Sequence, residues 1–280
     1  MAEAIVLTTS TRKTTKSQRT DSIADARSRI ISVADADAYL KMCIYSRNGV
    51  GKTTFIGSSD LKTLIIDCKE KGWVSIRKNH PNVDVYPMRT WADFDPIFWL
   101  LKSSNHGYQV LGVDTITMMA TIAMKWILKD DASRDFSRDP MMPDKRHWGK
   151  LGEILKNLII DLRDLPMHVI FAAQEKMTTS EDDEGGVVQE VHPELSPSPR
   201  STLLSAVSII GRLYAREVEL EGGKKRMERR MLLGAHTKFV SKNRFDELRP
   251  IERNPTLAKF IARIEGEKSG SSSEQDTSKT

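Results

Sequence analysis

Eight consecutive residues constrain this chain more than any others: Ser46-Arg47-Asn48-Gly49-Val50-Gly51-Lys52-Thr53. They lie directly after the apolar run Met42-Cys43-Ile44-Tyr45 and directly before a stretch with helical spacing. A strand, a glycine-rich turn and a helix in that order form a phosphate-binding loop, the P-loop. Gly49 and Gly51 let backbone N–H groups close around an anion, and the helix start near Lys52 adds roughly half a positive charge. Lys52 is expected to reach the β- and γ-phosphates of a nucleotide, and the Thr53 hydroxyl to ligate magnesium. Ser46 stands where the usual GxxxxGK[ST] pattern has its first glycine, while the GVGKTT core through Thr54 is intact. The nucleotide-binding residues are therefore expected at Ser46, Arg47, Asn48, Gly49, Val50, Gly51, Lys52, Thr53 and Thr54.

Three further apolar runs repeat this grammar. Thr63-Leu64-Ile65-Ile66-Asp67 and Val110-Leu111-Gly112-Val113-Asp114 read as buried strands ending in a carboxylate, and the run from His168 to Gln174 as one ending in an amide. Between the last two, residues 118–128 and 151–165 carry apolar side chains at helical spacing, as in Leu151, Ile154, Leu155, Leu158, Ile159 and Leu162. The alternation predicts an α/β fold, a mostly parallel twisted sheet flanked by helices, with its site at the carboxyl ends of the strands. After Gln174, residues 180–200 read as a mobile polar loop with Gly-Gly and three prolines. Residues 206–220 and 229–233, joined by Glu221-Gly222-Gly223-Lys224, read as a C-terminal β-hairpin extension. Residues 237–244 are a candidate for another strand, and 255–264 for a closing helix with Pro255 near its first turn.

The chain of 280 residues has room for one large or two small domains. Residues 1–38 read as a mostly disordered tail, 39–265 as the folded domain, and 266–280, rich in Gly, Ser and charge, as a second disordered tail. No stretch approaches the roughly 20 apolar residues of a membrane span. The only two cysteines, Cys43 and Cys68, sit in or beside apolar runs, which excludes a disulfide framework and a CxxC zinc site. A reducing, cytoplasmic compartment is expected, and the order of charge and apolar residues at the amino terminus is the reverse of a signal peptide's. With 43 Lys+Arg against 38 Asp+Glu the net charge is +5, which permits nucleic-acid binding without requiring it.

Asp114, followed by Thr115, is the candidate second magnesium ligand; the same Asp also suits a strand end or a helix cap. Glu70, just past the second strand, is the candidate for orienting the attacking water, or else a surface carboxylate of the KEKG turn. Gln174 is placed to sense the γ-phosphate, or to be a satisfied amide at a strand tip. In Lys242-Asn243-Arg244-Phe245 the two cations are two apart, so on an extended strand they point to one side. Both then reach one phosphate cluster, across a boundary if the protein forms rings or filaments, or else they make a solvated basic edge.

Taken in order, SRNGVGKTT, LIIDCKE, VLGVDTIT, the Trp148-Gly149 helix, VIFAAQE, HPELSPSPR and FVSKNRF give residues 40 to 262 a similarity to known proteins. They resemble phage-type RecA-core ATPases, the AAA_24 or Sak4-like group of single-strand annealing and recombination proteins, and KNRF resembles the KNRFG motif of bacterial RadA proteins. The resemblance implies a RecA-like core using ATP and Mg2+, with hydrolysis coupled to single-stranded DNA. It also implies a homo-oligomer, ring or filament, acting in recombination or repair beside a single-strand DNA-binding protein, in the host cytoplasm if phage-encoded. The expected mechanism is in-line attack of water on the γ-phosphate. Thr53 and Asp114 hold magnesium, Lys52 balances charge, Glu70 positions the water, and Lys242 with Arg244 completes the site from a neighbouring subunit.

The loop after Gln174 takes the place of a DNA-binding loop in this scheme. Here Glu181, Asp182, Asp183, Glu184, Glu190 and Glu194 make it acidic, which repels phosphates. Arg212, Arg216 and the hairpin cations Lys224, Lys225, Arg226, Arg229 and Arg230 are the alternative DNA contacts, or a solubilising ribbon. The reading from a different class is a nucleotide-dependent switch or scaffold that binds a protein partner, with little hydrolysis and no DNA contact.

Overall fold

The structure, a computed structural model, describes residues 23–30, 32, 39–103, 105–135, 137–181, 186–219 and 223–266. The expectations of disorder for most of the two tails, and the acidic side chains of Asp182, Asp183 and Glu184, lie outside the described residues. The chain divides into two units, residues 1–38 and 39–280. In the first, residues 23–28 form a short helix, α1, beside an exposed Asp25–Arg29 ion pair of 2.7 Å.

The second unit is built on one sheet. Its parallel part comprises β1 (Lys41–Ser46), β2 (Thr63–Asp67), β3 (Val83–Pro87), β4 (Val110–Asp114), β5 (His168–Glu181) and β7 (Ile209–Glu219). β6 (Val187–Pro193), β8 (Lys225–Leu232), β9 (Lys242–Asn243) and β10 (Ile251–Arg253) add antiparallel pairings. The order is β10-β8-β7-β1-β5-β4-β2-β3, with β6 on β5 and β9 on β7. The expected mostly parallel sheet is thus present, and the β7–β8 hairpin extends it.

Each parallel strand alternates between two apolar layers, which is why the strands read as uninterrupted apolar runs. Cys43, Tyr45, Leu111, Val113, Val169 and Phe171 face α3 (Phe94–Lys102), α4 (Ile116–Arg134) and α5 (Lys145–Arg163). Met42, Ile44, Ile65, Ile170 and Ala172 face α2 (Lys52–Gly57) and α7 (Leu257–Glu265), where Phe55 and Phe260 meet edge to face at 5.5 Å. Side chains set the helix starts: Thr115 Oγ1 accepts from Met118 N at the head of α4, and Asp144 and His147 form a reciprocal capping box on α5.

Two local expectations change. Residues 180–200 are not a loop throughout: β5 runs on to Glu181, pairs antiparallel with β6, and is followed by α6 (Pro197–Ala206). Val187, Val188 and Val191 favour the strand, and Pro197 suits the first turn of a helix. Of residues 237–244 only Lys242–Asn243 forms a strand, with an isolated bridge from Phe239 to Val191. Pro255 immediately precedes Thr256, the N-cap of α7, and so lies near its first turn as expected.

Candidate nucleotide-binding site

The register of the sheet places the functional strand ends side by side. Ser46 pairs with Gln174, Asp67 with Asp114, and Asp114 with Ala172. The strand carrying Gln174 therefore lies between the P-loop strand and the Asp114 strand. From β1 the chain turns through Gly49 and Gly51, at φ +77° and +115°, values that L side chains rarely adopt, and enters α2 at Lys52.

Lys52 is buried. Its Nζ donates to Gln174 Oε1 at 3.0 Å and lies 3.4 and 3.5 Å from the Ser46 and Arg47 carbonyl oxygens. Burial holds the ammonium below its usual pKa, opposed by the negative charges of Glu70, Asp114 and Glu175. Thr53 Oγ1 donates to Asp114 Oδ2 at 2.6 Å. Asp114 is 2 % exposed, and its carboxyl is pushed up to about 6. Burial is the main cause; the Thr53 hydrogen bond opposes it, Glu70 adds to it and Lys52 opposes it.

Glu70 is held from two sides. It accepts from Thr115 Oγ1 at 2.7 Å and from Gln174 Nε2 at 2.9 and 3.1 Å. The turn that delivers it has Lys69 and Lys71 in the left-handed region, at φ 68° and 53°, and is tied down by Lys71 N donating to Asp67 Oδ1 at 2.8 Å. One amide, Gln174, thus joins Lys52 to Glu70. Its own backbone N–H donates to Thr117 Oγ1 at 3.0 Å, which in turn donates to Glu194 O at 2.9 Å.

Asn48, Gly49, Gly51, Lys52, Thr53, Thr54, Glu70, Asp114 and Gln174 all line one cavity of about 1530 Å³. Ser46 is buried behind the loop, Val50 packs on the α2 side of the sheet, and Arg47 is exposed with its Nε 3.5 Å from Glu175 Oε1. Hard oxygen donors at Thr53 and Asp114 suit magnesium. The backbone at Gly72 lies close against this pair: a Cβ there would overlap Thr53 Oγ1 and stand 2.9 Å from Asp114 Oδ2. Among the described residues no cluster of three or more His, Cys, Asp or Glu could hold a metal alone. Gly72, Thr115 and Thr117 are the site residues that sequence reasoning did not assign. The glycine after KEK was the only available signal for the first.

Lys242 and Arg244 do not line this cavity. Lys242 Nζ donates to Val207 O at 2.7 Å and to Leu204 O at 2.9 Å, satisfying carbonyls at the end of α6. The expectation that both cations share one side of a strand is corrected: β9 ends at Asn243, whose Nδ2 donates to Phe245 O and Leu248 O and turns the chain, leaving Arg244 exposed. Of the hairpin cations, Arg212 pairs with Glu175 at 2.7 Å, Arg230 with Glu228 at 2.6 Å and Lys225 with Glu217 at 2.8 Å; Arg216, Lys224 and Arg226 are exposed.

A P-loop between β1 and α2, with a carboxylate, a second carboxylate and an amide at neighbouring strand ends, defines an α/β nucleotide-binding domain of the P-loop NTPase class. The chain belongs to the AAA_24 family, described as an AAA domain, whose model matches residues 38–245. Among solved structures, the flagellar accessory protein FlaH from Methanocaldococcus jannaschii is similar over 69 % of this chain and 76 % of its own, at 8 % identity and a TM-score of 0.33. No curated protein matches the chain. Among the described residues no helix is long and apolar enough to cross a membrane.

Proposed function

We propose that this P-loop ATPase is a RecA-like enzyme that hydrolyses ATP in response to single-stranded DNA, in annealing, recombination or repair. One observation carries the reading. Gln174 sits where β5 leaves the parallel sheet and enters the β5–β6 hairpin, and its single amide bonds both Lys52 and Glu70. A change of phosphate state at those two groups therefore alters the root of the hairpin, and a ligand on the hairpin acts back on the water-positioning carboxylate.

In this mechanism Lys52 balances charge on the β- and γ-phosphates, and Thr53 and Asp114 would hold magnesium. When bound, the ion neutralises phosphate charge. Glu70, fixed by Thr115 and Gln174, orients the attacking water and takes its proton as the bond to ADP breaks and inorganic phosphate leaves. In a ring or filament Arg244, exposed and outside its own chain's cavity, serves a neighbour's phosphates, while Lys242 is committed to α6. The exposed cations Arg216, Lys224 and Arg226 favour DNA on the β7–β8 ribbon, with a single-strand DNA-binding protein as a further partner.

ATP turnover measured with and without single-stranded DNA, at low and moderate salt, tests this. Stimulation that fades as salt rises is expected, because phosphate contacts release counterions. Turnover indifferent to DNA at both salts overturns the DNA assignment. It would favour a nucleotide-dependent switch for a protein partner, a reading supported by the exposed Met177, Val187 and Val188 on the acidic hairpin.

A further inference from the structure

We propose that Arg229 contacts the phosphate chain of the nucleotide from within the same chain, closing the P-loop from the C-terminal hairpin. The proposal rests on the nucleotide-binding reading of the site and adds to it a cation that neither the P-loop motif nor a neighbouring subunit supplies.

The guanidinium of Arg229 lies over the α-carbon of Gly51. A Cβ at Gly51 would stand 3.0 Å from Arg229 Nε, 3.1 Å from Cζ and 3.5 Å from Nη2. Gly51 is thus required twice, by its backbone angle and by the arginine packed on it. Arg229 lines the large cavity with Asn48, Gly49 and Lys52. It also lines a second cavity of about 170 Å³ with Thr54, Ser58 and Asn254. It stands where the two meet, beside the loop that cradles phosphates.

Arg229 reaches this place because of the sheet. Residues two apart on a strand share a face, so Arg229 points the same way as Met231, which is buried with Leu213 on the α2 and α7 side. Ala215, its register partner on β7, has no side chain beyond Cβ to obstruct it. The backbone is held between β7 and β10, and Arg229 O accepts from Asn254 N at 2.7 Å. The side chain therefore stands on a fixed base and needs no second subunit to bring it to the loop.

Its pairing differs from that of neighbouring arginines. Arg230 pairs with Glu228, Arg212 with Glu175 and Arg263 with Glu252, whereas among the described residues no carboxylate pairs with Arg229. A guanidinium remains charged at any working pH and presents a planar fork of donors that fits phosphate oxygens. Such a cation against an anion-binding loop has phosphate as its natural partner.

The test is competition against a fluorescent ADP by ATP, ADP and inorganic triphosphate. The proteins are wild type, Arg229→Ala, Arg229→Lys and, as a control on the exposed edge strand, Arg253→Ala, with melting temperatures recorded for each. Arg229→Ala is expected to weaken ATP, ADP and triphosphate by about 10- to 100-fold, the size of a hydrogen bond between charged groups. Arg229→Lys should recover part of the loss, and Arg253→Ala should match wild type. ATP and ADP binding within twofold of wild type in folded Arg229→Ala overturns the proposal. So does a loss for ADP with triphosphate unchanged, which would move the contact to the nucleoside. Where the alanine variant does not fold, wild-type affinity in Arg229→Lys, which lacks the fork, is the overturning result. Failure of wild type to bind any of the three ligands sinks the nucleotide reading itself, a result distinct from loss of the Arg229 contact alone.

Discussion

At the scale of single residues, the site is a set of short contacts in which each group is held by another. Thr53 is tied to Asp114, Lys52 to Gln174, Gln174 to Glu70 and Glu70 to Thr115. The least forgiving position is Gly72, because a Cβ there would overlap Thr53 Oγ1 and crowd Asp114 Oδ2. Gly72→Ala is expected to raise the magnesium concentration needed for half-maximal ATP turnover and to lower the rate by about 100-fold, the cost of a misplacement near 1 Å. Its melting temperature is recorded alongside, so that a loss of fold is told apart from a loss of magnesium affinity. A magnesium titration of turnover checks this, and a wild-type titration curve contradicts it. Lys52, Thr53, Asp114 and Gln174 were legible in the sequence because the P-loop and the polar tips of apolar strands mark them. Gly72, Thr115 and Arg229 were not, because their roles come from approaches in space between segments distant in the chain.

At the scale of elements, β5, the strand paired with the P-loop strand β1, begins at a buried histidine. His168, at the start of β5, accepts from Leu40 N through Nδ1 at 3.1 Å, and its Nε2 lies 3.4 Å from Glu265 Oε1. Burial, and after it the charge of Lys41, lowers its pKa to about 4, so the ring is neutral in the fold. In the unfolded chain it takes up a proton near the ordinary value of about 6.5. The stability it contributes is therefore complete above that pH and is lost as the pH falls toward 4. Calorimetry between pH 7 and 5 should show a falling melting temperature. His168→Asn, which keeps an acceptor for Leu40 N without titrating, should flatten the fall; an unchanged slope in the variant contradicts the assignment. The buried strands of the sheet were readable as apolar runs, and the β7–β8 hairpin from its Gly-Gly turn. The β5–β6 hairpin was hidden because Gly, Pro and acidic residues dominate its composition, while the pairing rests on register with Met177, Thr178 and Thr179.

At the scale of the whole domain, strand order is what turns a list of motifs into a site. Inserting β5 between β1 and β4 sets the amide of Gln174 between the P-loop lysine and the two carboxylates, and then sends the same strand out into a hairpin. Fold class and the location of the site followed from strand and helix alternation. The links between the site and its surroundings, Gln174 to the β5–β6 hairpin and Arg229 to the β7–β8 hairpin, needed the register. The central claim is that this constellation hydrolyses ATP through a water positioned by Glu70. Single-turnover hydrolysis and ATP affinity measured side by side for wild type and Glu70→Gln test it most directly. Hydrolysis at least about 100-fold slower is expected in the variant, the usual contribution of a positioned general base, with ATP still bound at close to wild-type affinity. Hydrolysis at the wild-type rate in Glu70→Gln, or no hydrolysis by the wild-type protein, contradicts it.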